Sequence, residues 1–116
     1  MITDRSDIVD ILHRLELRYE LRHLAITAKK AKHKQLLSEI AYKTQELVVL
    51  REYHSQIDIT DTVACHKVEI KCDLRVLSLE NKKAKEEQLK KNIKQKRKNL
   101  RVLRRYIKQL KEDLRT

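Results

Sequence analysis

Glycine and proline are both absent from this 116-residue chain, and with them most of the ways a backbone makes a tight turn. A compact domain of this length reverses direction many times, often at positions of positive φ that glycine supplies, and it fills its core with bulky aromatics. Phenylalanine and tryptophan are missing too, leaving Tyr19, Tyr42, Tyr53 and Tyr106. Few reversals are therefore possible. Strong helix formers (Leu, Lys, Arg, Glu, Gln, Ala) dominate the remainder, so an extended all-α protein is expected. Disorder is disfavoured despite 39% charged residues, because 41% are hydrophobic and concentrated in Leu, Ile and Val. Without glycine there is no P-loop, dinucleotide fingerprint, nucleophile elbow or EF-hand loop.

Alternating steps of four and three from Ile8 give Ile8, Leu12, Leu15, Tyr19, Arg22, Ile26, Lys29, His33, Leu36, Ile40, Lys43, Leu47, Leu50, His54 and Ile57, ten of the fifteen apolar. This is a heptad seam, the pattern of helices that wind around a partner helix. From Leu89 the same template gives Leu89, Ile93, Lys96, Leu100, Leu103, Ile107, Leu110 and Leu114, with seven of eight apolar. Earlier in the second half it follows Ile70, Leu74 and Leu77 into Asn81, Ala84 and Gln88, so a slip of phase is expected before Leu89.

Short polar and β-branched residues cluster at 55–62, almost at the midpoint, where Asp58 or Thr60 offers a cap and Asp61 lies near the positive end of a new helix. Thr3 or Asp4, with Asp7 behind it, offers the corresponding start for the first helix. The expected fold is a long antiparallel two-helix coiled-coil hairpin spanning residues 1–116 as one unit: helix one about 4–55, bend about 56–61 and helix two about 62–115. Residue i then faces about 117 − i, with Ile8, Leu12 and Leu15 near Leu103, Ile107 and Leu110. The weak stretch Ala28, Lys29, Ala31 and His33 faces Ala84 to Gln88. One uninterrupted helix in a parallel dimer is the alternative, disfavoured by the midpoint break and the mirrored weak segments. A lone hairpin buries a narrow stripe, so a protein partner is expected.

Little in the sequence builds catalytic chemistry. Cys65 and Cys72, seven residues apart, lie about 10.5 Å apart along a helix, beyond disulfide reach, and fit a reducing, cytoplasmic setting. With His54 and His66 they have no standard zinc spacing, so no metal and no cofactor is expected. His13, His23 and His33 recur every ten residues, share no helical face, and are expected at the surface. Acid pairs such as Glu86–Glu87 and Glu112–Asp113 have no concave pocket in a two-helix rod, which argues against an enzyme. No uncharged run is long enough to span a bilayer and no signal core follows Met1, so a soluble chain without membrane insertion is expected.

Charge is the sharpest signal. The formal net charge is +11, and the eleven basic residues between Gln88 and Lys111 are accompanied by no acid. Such a polycation attracts phosphates, anionic lipids or an acidic protein surface. The run coincides with the cleanest seam, lacks a series of aromatics for stacking bases, and has no Trp or Phe for a membrane interface. An acidic protein socket is favoured over a nucleic acid or a merely solvated face.

A small Gly- and Pro-free hairpin with basic paired ends and a polar bend, carrying Glu46-Leu47-Val48-Val49-Leu50-Arg51-Glu52-Tyr53 near the end of its first helix, resembles the YscO/FliJ family and its EscO-like branch. These are the central stalk proteins of type III secretion and flagellar export ATPases. The resemblance implies a non-enzymatic, cytoplasmic virulence-associated coiled coil whose paired helix ends enter a hexameric secretion ATPase and stimulate ATP hydrolysis and export. It implies partner contacts at Arg14, Arg18, Arg22, Arg97, Arg101, Arg104, Arg105, Lys108 and Lys111. Tyr53, His54, Ile57 and Ile59 at the bend would meet an export gate protein or chaperones. A basic coiled coil binding nucleic acid and a structural coiled-coil scaffold are the alternatives.

Overall fold

The computed structural model describes residues 5–115 as two helices, α1 (Arg5–Gln56) and α2 (Thr62–Arg115), joined by residues 57–61. The fold is an all-α antiparallel hairpin, which excludes the uninterrupted helix. Thr3 and Asp4 lie outside the described residues, while Asp7 occupies the first turn of α1 and complements its dipole.

The reversal uses no residue of positive φ among those described. Asp58 and Asp61 take up the backbone donors instead. The Thr60 N–H donates to Asp58 Oδ1 at 3.1 Å, and the Asp61 N–H to the Asp58 carbonyl at 2.9 Å, closing a turn. The Ala64 N–H donates to Asp61 Oδ1 at 3.1 Å and the Cys65 N–H to the Asp61 carbonyl at 3.1 Å. Asp61 is therefore the N-cap of α2, in place of the expected Asp58 or Thr60, because its side chain reaches the third helical N–H while Asp58 is engaged in the turn. Both N–H and hydroxyl contacts from Thr60 hold the Asp58 carboxyl below its ordinary range.

Two compact units divide the chain, Met1–Ala31 with Lys90–Thr116, and Lys32–Leu89. In the first, Leu12, Leu103 and Ile107 are buried together, with Leu15, Tyr19, Leu110 and Leu114 packed around them. Arg5 donates to the Leu114 carbonyl, tying the described ends side by side. In the second, Leu47, Val68 and Leu79 are buried, and polar side chains pair across the interface: His33 with Glu86 at 2.8 Å, Glu39 with Lys82 at 2.8 Å and Glu46 with Arg75 at 3.1 Å.

The α1 seam lies as its spacing predicts, every position from Ile8 to Ile57 being buried or half-buried except Arg22. In α2 the slip is absent. Ile70, Leu74 and Leu77 are 59%, 61% and 61% exposed, and the inward face instead runs through Cys65, Val68, Cys72, Arg75, Leu79, Lys82 and Glu86. That series continues through Leu89 and Ile93 without a change of phase. The hydrophobic count favoured the wrong stripe because three inward positions, Arg75, Lys82 and Glu86, carry ionisable side chains, each with a polar partner on α1. His33, expected at the surface, is half-buried for the same reason.

Pairing is displaced from 117 − i. Arg5–Leu114 and His33–Glu86 put residue i opposite 119 − i, and Glu39–Lys82 and Glu46–Arg75 opposite 121 − i. The loop at 57–61 is centred on Ile59, past the assumed fold point, and long charged side chains reach diagonally along the seam.

Candidate partner-binding surface

The first unit presents a row of cations with a simple origin. Lys90, Lys94, Arg97, Arg101, Arg104, Lys108 and Lys111 each follow by one residue a seam position, from Leu89 to Leu110. One step along a helix is about 100°, so a heptad row displaced by one residue stands beside the seam on a single side of the pair. All seven are exposed. Of these seven, Lys111 alone has an ion-pair partner among the described residues, its Nζ 3.8 Å from Glu16 Oε1.

Beside this row the helices leave an open groove of about 240 Å³, lined from α1 by Tyr19, His23, Ile26 and Lys30 and from α2 by Arg97, Leu100, Arg101 and Arg104. None of these is acidic. The Tyr19 and His23 rings stack with centroids 6.3 Å apart and planes within 6°, stiffening one wall.

Five of the nine expected contacts, Arg97, Arg101, Arg104, Lys108 and Lys111, lie in this row, and the other four do not share its face. Arg22 lines a different groove with Ala25, Ile26, Lys96 and Asn99. Helical phase places Arg14 and Arg18 toward the same side as Arg22, away from Arg97, Arg101 and Arg104. Arg105, one step beyond the row, points outward from the pair. The regularity of the row was present in the sequence as a basic residue after every seam position, a signal that counting charges alone did not reveal.

Near the bend the four expected contacts divide. Tyr53 is exposed and Ile59 is 89% exposed, whereas Ile57 and His54 are half-buried. His54 Nε2 lies 3.3 Å from Glu69 Oε1, and His66 Nδ1 lies 3.4 Å from Glu69 Oε2. A groove lined by Arg51, His54, Glu69, Cys72, Asp73 and Val76 opens beside them. Cys65 and Cys72 are free thiols on the inward face of α2, the former 3.7 Å from the Asp58 carbonyl.

The outward face of α2 carries a second apolar stripe, Val63, Ile70, Leu74 and Leu77, and α1 exposes Tyr42, Val49 and Tyr53 at similar spacing. Tyr42, Val49 and Leu50 line a largely apolar groove whose edge holds the Glu46–Arg75 pair. No helix among the described residues is long and apolar enough to cross a membrane. Comparison of the chain with sequence profiles of known families, with curated proteins and with solved structures gave no match.

Proposed function

We propose that this chain is a non-enzymatic central stalk subunit that inserts its paired helix ends into a hexameric type III secretion ATPase in the cytoplasm and stimulates ATP hydrolysis and export. The observation that carries this reading is the first unit: Leu12, Leu103 and Ile107 hold the two helix ends side by side, and the cation row stands exposed along one side of them. A prong that carries a regular row of cations along one side and scattered ones elsewhere meets six equivalent subunits unequally. A ligand shifts an equilibrium only by its differential affinity for the states involved, and unequal contact supplies such a difference among nucleotide states.

The apolar groups at Tyr53 and Ile59, exposed at the bend, suit contact with an export gate protein or a chaperone. A nucleic-acid-binding role is the second reading, favoured by the same exposed row of cations. The deciding experiment adds the chain to the cognate ATPase. Raised turnover and hexamer formation support the stalk role; unchanged turnover, with tight binding to duplex nucleic acid at physiological salt, supports the second reading instead.

A further inference from the structure

The groove beside the cation row has more character than a positive patch. Its floor is Ile26 and Leu100, one wall carries the stacked Tyr19 and His23, and the other is lined by Arg97, Arg101 and Arg104. An apolar floor beside cations at heptad spacing is the complement of a helix that carries one apolar stripe flanked by carboxylates at i, i+3 and i+4. We infer that this groove seats an acidic amphipathic helix of a partner protein, which lies along α1 and α2 as the third member of a three-helix arrangement.

The inference rests on the paired ends being the partner-binding end, and adds which side is used and what is recognised there. Charge complementarity sets the sign of the occupant over the groove, where eight residues line it and none is acidic, while farther along the row Glu16 of α1 already pairs with Lys111. Geometry favours a protein helix over a duplex. The row from Lys90 to Lys111 is straight over roughly 30 Å, with a cation about every 5 Å. Another helix accompanies it throughout, whereas each phosphate strand of a duplex winds away from a straight line. The Tyr19 and His23 rings are stacked on each other and leave no open slot between them for a base.

The probe is a fluorescent synthetic helix about three heptads long, with Leu on one stripe and Glu on both flanks, titrated with the full chain at about 0.15 M salt. A matched peptide carries Gln for every Glu. The Glu peptide should bind at least about tenfold more tightly than the Gln peptide. Combining Arg97→Gln, Arg101→Gln and Arg104→Gln should weaken it about tenfold at unchanged helicity, while Arg14→Gln, Arg18→Gln and Arg22→Gln together leave it as in the parent. The His23 ring resonances should shift on binding. Equal affinity for the two peptides overturns the inference, as does equal loss in the Arg14 set. Tighter binding of a duplex oligonucleotide of matched charge also overturns it. The peptide comparison uses the unaltered chain, so it stands even if the triple variant misfolds. Peptide binding without ATPase stimulation would discard the stalk role and keep this groove; stimulation indifferent to the Arg97 set would do the reverse.

Discussion

His33 Nε2 lies 2.8 Å from Glu86 Oε1, and both side chains occupy inward seam positions that a coiled coil ordinarily gives to leucine. With 22% and 15% of their side-chain surfaces exposed, the two groups are largely withdrawn from water and depend on each other for a hydrogen bond. A polar pair in a seam specifies register at a cost in stability. Replacing both by leucine should raise unfolding free energy by about 1 kcal/mol or more, whereas Glu86→Ala alone should lower it by about 1 kcal/mol. Urea titration measures both, and a destabilised double-leucine variant would show that the pair is a net support.

Because the inward face of α2 runs without a slip, Ile70 and Leu74 contribute little to the hairpin. Ile70→Ser with Leu74→Ser should change stability by less than about 0.5 kcal/mol each. Leu12→Ala or Ile107→Ala, which opens the packed cluster, should cost about 2 kcal/mol. Circular-dichroism melting distinguishes these outcomes; comparable losses at both sets would mean the seam follows Ile70 and Leu74.

The hydrogen bond from Lys82, followed by the lysine's charge, lowers the Glu39 carboxyl from its ordinary 4.5. A carboxyl lowered on folding contributes stability above its unfolded pKa and loses that contribution as pH falls through the folded value. The parent should therefore melt above Glu39→Gln at neutral pH, and the gap should close in acid below about pH 4. A gap constant across that range would remove the pair from the stability of the second unit. High salt should narrow it as well, since both groups are partly exposed.

At the bend, Asp61→Ala should cost about 1 kcal/mol and speed amide exchange at Ala64 and Cys65, whose N–H groups bond to Asp61. Asp61→Asn should retain most of the stability, since asparagine caps comparably. Exchange at Ala64 unaffected by Asp61→Ala would assign the cap elsewhere.

The sequence made α1 legible nearly residue by residue, since its seam is apolar wherever it is most buried, at Leu12, Ile26 and Leu47. The paired ends were legible for the same reason. The first half of α2 was not, because Ile70, Leu74 and Leu77 imitate a seam while the true one includes Arg75, Lys82 and Glu86. An ionisable inward residue makes sense only beside its partner on the other helix, and Glu46, Glu39 and His33 are remote in sequence. Five of the row's seven cations, Arg97, Arg101, Arg104, Lys108 and Lys111, were legible as candidate contacts from charge; their alignment with Lys90 and Lys94 was not, because it lies in phase against the seam rather than in total charge.

The reversal at 57–61 is built from ordinary backbone and two carboxylates, with no position where a side chain is sterically forbidden. Side-chain replacements at 57, 59 and 60 therefore meet no backbone obstacle, whereas a segment spliced in between Asp58 and Asp61 would part the carbonyl and N–H that close the turn.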